Sequence, residues 1–255
     1  MSFKYDSNKK NNLQSAIEIG CCSPLVDSEE ILSNSFDYLE IRASELSSQN
    51  CDKNIKYVNS FLPRDLSLFK KEDLEKIKEI AKEIVHNCKL SGIKIITFGS
   101  GKTRRIKSKT INPREEIIWC NFLHYLDDLA GKKDLKIALE PLTTKETNFI
   151  NTVEEAVFWI EKLKLKNFGV TLDSYHFYEM QDSLNEIEDY KKHVIHAHIA
   201  DENQLVPTKI SDRLKEFILF VKSPGCNLSL EMVPYDLDLI SDNFVQMIKE
   251  VIYNE

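Results

Sequence analysis

The sequence predicts a closed (β/α)8 barrel, an α/β fold in which eight parallel strands alternate with helices around one core. Three observations predict it. Short apolar runs typical of buried strands recur eight times along the chain. Helical patterns lie between most of these runs. A repeat of roughly 30 residues per unit fits this barrel, and an open doubly wound sheet is the second choice.

The strands are expected where apolar residues cluster. In chain order they are 16–21 (AIEIGC), 37–42 (DYLEIR), 55–59 (IKYVN), 93–98 (IKIITF), 135–139 (LKIAL), 168–172 (FGVTL), 193–199 (HVIHAHI) and 227–231 (NLSLE). Residues 1–14 are polar and rich in Asn and Lys. We therefore expect a frayed segment at 1–14 ahead of one barrel domain over 15–255.

Helices are expected between the strands, several of them introduced by Asp, Asn-Pro or Asn-Thr caps. They are 72–90, 113–130, 152–164, 183–191, 211–221 and 236–252. The first two units are short, because residues 27–35 allow barely two helical turns and residues 43–54 leave room for little helix.

Composition and charge limit the classes of function. The chain is 42% hydrophobic and 29% charged, without a run of eighteen apolar residues or an apolar stretch behind a basic N-terminus, so we expect a cytoplasmic protein with no membrane partner. Its net charge of −7 disfavours nucleic acid as the main partner. The six cysteines form no CxxC pair, which favours reduced thiols over a disulfide framework or a thiolate zinc site.

The stretch FGSGKTRRIK at 98–107 ends like a nucleotide-binding P-loop. A P-loop needs a further glycine five residues before Gly101, because its first turn wraps phosphate with backbone amides. That position is Ile96, inside a strand-like apolar run. The sequence therefore argues against a P-loop ATPase.

Ionisable residues follow four consecutive predicted strands, at the edge where reactive groups of such barrels collect. Glu140 ends KIALE, Asp173 follows GVTL, His198 lies late in HVIHAHI, and Glu231 ends NLSLE. Their spacings of 33, 25 and 33 residues each match about one βα unit. Singly, each acid could bond a loop amide, but four in register predict a ring of three carboxylates and one imidazole.

Three crowded carboxylates repel one another unless a counter-charge is present, and a divalent cation supplies it. Oxygen-rich ligation with one nitrogen suits Mn²⁺ best, with Mg²⁺, Co²⁺ or Zn²⁺ as alternatives. His196 shares the strand face of His198 but lies deeper, so we expect a hydrogen-bonded core imidazole there. The sequence therefore predicts one divalent metal ion.

At these residues the chain resembles the sugar isomerase and epimerase branch of the xylose-isomerase-like barrels. The similar motifs, in the order of the family, are FDYLEI, NSFLP, FGSGKTRR, LEPLTTKETNFINTVEEA, LDSYHF, HAHIAD and LSLE. The chain looks closest to ketose 3-epimerases of the tagatose and psicose type.

The resemblance implies roles for further residues. The metal ligands of the family match Glu140, Asp173, His198 and Glu231. Its substrate-binding glutamate and histidine fall on Glu146 and His176, and Arg104 of the fourth-strand loop is also expected to bind substrate. A substrate-binding arginine of the family is replaced by Gln204, which keeps a hydrogen-bond donor but loses the charge and the planar fork.

The resemblance implies a metal-dependent isomerase that acts on a small sugar or sugar phosphate. Glu140 and Glu231 would remove and return a proton next to a carbonyl through an enediolate, giving epimerisation or aldose–ketose isomerisation. A phosphorylated substrate would explain the basic loop 102–109, although a solvated loop explains it equally. Barrels of this branch often pair, so a homodimer or homotetramer is expected.

Three other functions remain open at this point. An apurinic-endonuclease-like phosphodiesterase uses a related barrel but needs more histidines at strand ends than Glu40, Asn59 and Gly99 provide. A polyol dehydratase could use the same enolate. A lapsed sugar-binding member is suggested by Gln204.

Overall fold

The computed structural model describes residues 16–47, 54–233, 235–240 and 243–254, and it confirms the closed barrel. Eight parallel strands pair in chain order, and the last pairs with the first. They are β1 (Ile19–Cys22), β2 (Tyr38–Arg42), β3 (Ile55–Asn59), β4 (Ile95–Phe98), β5 (Lys136–Leu139), β6 (Phe168–Asp173), β7 (Val194–Ile199) and β8 (Leu228–Leu230). The expected frayed segment 1–14 lies outside the described residues.

Seven α-helices surround the described part of the barrel. They are α1 (Ser28–Ser33), α2 (Lys71–Leu90), α3 (Pro113–Lys133), α4 (Val153–Lys162), α5 (Ser174–Glu179), α6 (Asp212–Lys222) and α7 (Phe244–Asn254). Asn112 caps α3 in a reciprocal capping box with Glu115, as its Asn-Pro start predicts. None of the described helices combines the length and the apolar character that crossing a bilayer would need.

The first two units are short, as predicted. The six-residue α1 fills the first connection, and a 3₁₀ turn at Ala43–Glu45 follows β2. Two predicted helices differ from the structure. Residues 183–191 hold only part of a 3₁₀ helix at Glu188–His193, and the α-helix of this unit, α5, instead forms directly after β6. The last α-helix begins at Phe244 instead of 236.

Aromatic side chains pack helices α3 and α4 against each other and against the end of β4. The Trp119 ring on α3 lies 5.9 Å from Phe98 at the end of β4, 5.2 Å from Phe149 and 6.4 Å from Trp159 on α4, measured between ring centroids. Trp119 is completely buried. Burial of such large rings stabilises the fold strongly, so the loops after β4 and β5 start from rigid positions.

Close contacts leave no space for side chains at two strand glycines. A Cβ atom built on Gly20 would lie 2.1 Å from the Tyr38 ring, and one on Gly169 would lie 2.7 Å from Ile195. Tyr38 is fully buried and its hydroxyl hydrogen-bonds Ser229 Oγ at 3.0 Å. The absence of a side chain at Gly20 therefore lets an aromatic ring fill the floor of the barrel.

Gly20→Ala is expected to lower the free energy of unfolding by about 1–3 kcal/mol, because the Tyr38 ring must move within a packed core. Urea denaturation measures this. Gly131→Ala in α3 is the control, because the nearest atoms there belong to the end of the Asn167 side chain. Equal unfolding midpoints for wild-type protein and Gly20→Ala would contradict the packing described.

Candidate active site

A cavity of about 770 Å³ opens at the carboxyl ends of the strands, where the sequence predicted reactive groups. Most of the predicted site residues line it. These are Glu140, Glu146, His176, Gln204 and Glu231. Asp173 and His198 are almost completely buried beside them.

The structure brings the four predicted metal ligands together. Glu140, Asp173, His198 and Glu231 each offer one ligand atom, and all four atoms lie within 4.8 Å of one another. His198 Nδ1 lies 2.9 Å from Glu231 Oε2, 3.2 Å from Glu140 Oε1 and 4.0 Å from Asp173 Oδ2. The four strands β5 to β8 therefore point one ligand each at a common centre.

The side chain of Asp173 tests whether a cation fits this centre. Its Oδ1 accepts a hydrogen bond from the His176 backbone N–H at 2.7 Å and so caps α5. Its Oδ2 is buried and has no hydrogen-bond partner. A buried carboxylate oxygen without a donor is costly, and a cation would satisfy it.

The pKa shifts of the carboxyl groups also favour a cation at this centre. Burial raises the pKa of Glu140 to about 7. Burial, together with the charges of Glu231 and Glu140, raises the pKa of Asp173 well above its usual value. Burial and mutual repulsion therefore oppose ionisation of Glu140 and Asp173, and a cation would stabilise their charged forms. Three oxygens and one nitrogen suit Mn²⁺, Mg²⁺ or Co²⁺.

Glu40 at β2 holds the other side of the His198 ring. Glu40 Oε1 lies 3.0 Å from His198 Nε2, and Glu40 Oε2 lies 2.7 Å from His196 Nε2. Ser229 Oγ donates to Glu40 Oε2 at 2.7 Å. All four side chains are fully buried. With Nε2 donating to Glu40, the ring is oriented so that Nδ1 faces the carboxylates, the arrangement by which outer carboxylates commonly orient histidine ligands.

These contacts shift the titration of both partners. Burial opposes ionisation, but the His198 and His196 rings hold the pKa of Glu40 well below its usual range. Burial would likewise lower the pKa of His198, but Glu40 and Glu231 raise it well above its usual value. The protonated imidazole of His198 therefore balances the charge of the acids. A bound cation would replace the proton on Nδ1.

Sequence reasoning missed this role of Glu40, which it treated only as the end of a strand. The expected core role of His196 agrees with the structure, since the ring is fully buried and stacks on Tyr57 at 4.3 Å between centroids. The pairing of β2 with β3 shifts register between Leu39 and Glu40. Contacts across a barrel depend on such details of register, and these cannot be predicted from the spacing of the strands along the sequence.

A second group near His198 is less suited to a cation. Cys22, Glu40 and His198 also offer three ligand atoms close together, with Cys22 Sγ 4.0 Å from His198 Nε2. Burial and the charge of Glu40 raise the pKa of the Cys22 thiol well above its usual value, so it stays protonated. The Glu40 carboxylate already forms hydrogen bonds with His196, His198 and Ser229. The carboxylate ring is therefore the stronger candidate for a metal site.

Glu146 and His176 lie side by side in the cavity wall. Glu146 Oε1 is 3.6 Å from His176 Nε2, and the Thr143 backbone N–H donates to His176 Nδ1 at 3.4 Å. Burial lowers the pKa of His176 to about 4. The ring is therefore neutral at physiological pH, with its hydrogen on Nε2, and the pair offers one donor and one acceptor to the cavity.

The loop after β4 approaches the acids closely because it contains glycines. A Cβ on Gly99 would lie 2.3 Å from Glu140 Oε2, and one on Gly101 would lie 2.9 Å from the Leu142 side chain and 3.2 Å from the Glu146 carbonyl oxygen. The segment that resembled a P-loop therefore packs against the carboxylate ring and the loop after β5.

Arg104 differs from its expected role in substrate binding. It is fully buried and is not among the cavity-lining residues. Its Nη2 donates to the carbonyl oxygens of Glu140 at 2.7 Å and Ile150 at 3.3 Å. Burial lowers the pKa of Arg104 to about 10. The guanidinium therefore binds carbonyl oxygens of the loop after β5 and does not line the cavity.

Gln204 does line the cavity, at the position where the resemblance implied an arginine. Its φ of 60° places it in the left-handed region, and its carbonyl oxygen accepts a hydrogen bond from the Val233 backbone N–H at 2.8 Å. The loops after β7 and β8 are thereby joined beside Glu231.

Comparison with known proteins gives consistent results. The family model described as "Xylose isomerase-like TIM barrel" matches residues 16–232. A ketose 3-epimerase of Arthrobacter globiformis is 31% identical over 78 residues, which are 30% of this chain and 27% of that protein. An inosose isomerase of Bacillus licheniformis is 26% identical over 190 residues, which are 69% of this chain and 66% of that protein. Less than two thirds of either relative is therefore matched.

Solved structures share the fold. The apo form of the 3-keto-D-glucoside 4-epimerase YcjR from E. coli superposes with a TM-score of 0.76 at 16% identity, covering 92% of this chain and 99% of that one. At this identity the likeness shows a common fold.

Asp173→Asn is expected to abolish stabilisation by Mn²⁺, because the amide removes the charge from the buried ring. In wild-type protein, metal at a hundredfold excess over its Kd adds about 2.7 kcal/mol to the free energy of unfolding. Thermal unfolding with and without Mn²⁺ measures the difference. Asp128→Asn, at an exposed position of α3, is the matched control. If Mn²⁺ stabilised Asp173→Asn as much as wild-type protein, Asp173 would not be a metal ligand.

Glu40→Gln is expected to weaken Mn²⁺ binding about 10–100-fold, because the acceptor that orients His198 is weakened. Calorimetric titration gives the Kd. Cys22→Ser provides the comparison, since it alters only the second group and should leave the affinity unchanged. A large loss in Cys22→Ser with none in Glu40→Gln would contradict the assignment of the carboxylate ring as the metal site.

Proposed function

The chain belongs to the xylose isomerase-like TIM barrel family, and from that premise we propose that it is a divalent-metal-dependent sugar epimerase or isomerase. It would move a proton at the carbon next to a carbonyl of a ketose-type substrate. The names of the matched relatives, a ketose 3-epimerase and an inosose isomerase, support this reaction class.

The observation that carries the proposal is the ring of four ligand atoms within 4.8 Å at the floor of a cavity open to solvent. Glu140, Asp173, His198 and Glu231 would hold the cation, with Mn²⁺ as the first expectation. When bound, a divalent cation would stabilise negative charge developing on substrate oxygens. The cavity leaves room for a sugar above the ring.

Glu140 and Glu231 are the proposed proton-transfer groups. They directly follow β5 and β8, and their carboxylates approach the same atom, His198 Nδ1, at 3.2 and 2.9 Å. Both line the cavity. A carbon held between two such carboxylates can lose its proton to one and receive a proton from the other, which inverts its configuration. Return of the proton to the neighbouring carbon would give isomerisation.

Glu146, His176 and Gln204 are proposed to orient the sugar. The neutral His176 ring offers its Nε2 hydrogen, and Glu146 beside it accepts hydrogen bonds from hydroxyl groups. Gln204 supplies amide donors and an acceptor without a charge. Such contacts hold the reacting carbon at the proton-transfer groups, and correct placement contributes strongly to the rate.

Glu231→Gln is expected to lower exchange of the substrate α-proton with solvent by at least about 10²–10⁴-fold, because the amide cannot accept the proton. Ketoses are incubated with Mn²⁺-loaded protein in heavy water, and NMR detects deuterium entering the sugar. Glu216→Gln, at an exposed position of α6, should exchange at the wild-type rate.

Circular dichroism and the thermal unfolding midpoint check that Glu231→Gln is folded. Exchange near the wild-type rate in this variant would contradict the two-carboxylate scheme. Absence of exchange with every sugar tried, in wild-type protein that binds those sugars, would favour a binding protein over an enzyme.

A further inference from the structure

Five basic side chains line the same cavity as the acids, although the whole chain carries a net charge of −7. They form a group that we term the basic rim: Arg42, Arg64, Lys102, Arg105 and Lys145. All five are exposed, whereas the carboxylates of the ring are buried or largely so. The cavity therefore has negative charge at its floor and positive charge at its mouth.

Much of the charge of the basic rim is not neutralised locally. Arg64 and Lys102 form no ion pair with any residue that the structure describes. Arg105 Nη2 donates to the Lys145 carbonyl oxygen at 3.3 Å, a neutral acceptor, while Lys145 pairs with Glu179. Several cations therefore remain available to a ligand.

The basic rim is connected to the reacting end of the cavity through short contacts. Lys102 follows the glycine loop that packs against Glu140 and Glu146. Arg64 lines the cavity together with Glu146, and its charge partly offsets the rise that burial gives to the pKa of the Glu146 carboxyl. A ligand with one end at Glu146 can therefore reach the basic rim with its other end.

The size of the cavity also matters. A volume of about 770 Å³ falls in the upper part of the range of about 300–1,000 Å³ for pockets that bury drug-sized ligands. A free ketose is smaller than such ligands. A cavity of this volume therefore leaves space beside a free ketose, and the five cations are among the residues that line it.

We propose that the substrate is a phosphorylated sugar, whose phosphate ester binds at the basic rim while its carbonyl end lies at the carboxylate ring. This inference rests on the proposed function for the position of the carbonyl end. A dianionic phosphate matches several cations better than a single carboxylate does, and Arg64 and Arg105 can bind two of its oxygens each. Lys102 adds a charge from the loop after β4.

Binding is measured by calorimetric titration of Mn²⁺-loaded protein with D-fructose, D-fructose 6-phosphate, D-ribulose, D-ribulose 5-phosphate and D-gluconate. In at least one pair the ester is expected to bind about tenfold or more tightly than its parent ketose. That preference should fall as ionic strength rises, because the rim is exposed. Lys102→Met combined with Arg105→Gln should remove the preference.

Lys107→Met combined with Lys109→Met is the matched control, because these exposed lysines lie in the same segment but do not line the cavity. It should keep the preference. Equal affinity for ester and ketose in both pairs, or a preference that survives Lys102→Met with Arg105→Gln, overturns the inference. Tighter binding of D-gluconate than of either ester overturns the assignment to phosphate.

The titration separates this inference from the proposed function. Deuterium exchange into a neutral ketose, with no preference for its ester, supports the epimerase and overturns the basic rim as a phosphate site. Rim-dependent binding of the ester without any exchange supports the phosphate site and counts against the proposed catalysis.

Discussion

His198 lies between two sets of carboxylates, and the orientation of its ring determines what the floor of the cavity can bind. Nδ1 faces Glu231 and Glu140 at 2.9 and 3.2 Å, and Nε2 faces Glu40 at 3.0 Å. Because the imidazole and Glu40 are completely buried, neither can exchange these contacts for water. One ring thus links β2, β5, β7 and β8, and it can carry a proton or present a lone pair to a cation.

The barrel supports this ring by packing that lies outside the cavity. Gly20 leaves space for the Tyr38 ring, whose hydroxyl contacts Ser229, and Ser229 in turn donates to Glu40. The buried guanidinium of Arg104 donates a hydrogen bond to the Glu140 carbonyl oxygen. Rigid support of this kind would hold the proposed catalytic groups in place, while the exposed cations at the mouth would contact the proposed phosphate group.

The proximity of the four candidate ligands could be predicted from the sequence because it depends on strand order. Residues at the ends of four consecutive parallel strands must meet at one edge, so Glu140, Asp173, His198 and Glu231 could be grouped from their spacing. The contact of Glu40 with His198 could not be predicted in this way, because it crosses the barrel and depends on register.

Arg104 and α5 are two further features that could not be predicted from the sequence. A charged side chain in a glycine loop is usually exposed, but Arg104 turns inward to satisfy carbonyl groups of the β5 loop. Helix α5 has only six residues and is capped by Asp173, a predicted ligand, so no long amphipathic pattern marks it. Local patterns therefore identify the strand ends, while tertiary contacts decide where the side chains between them go.

The most direct test of the account is a crystal of the protein soaked in Mn²⁺, with anomalous scattering used to locate the metal. The account predicts one strong anomalous peak per chain, enclosed by Glu140, Asp173, His198 and Glu231, with His198 contributing Nδ1. A peak among Cys22, Glu40 and His198 instead, two or three peaks in the cavity, or no peak at the carboxylate ring would contradict it.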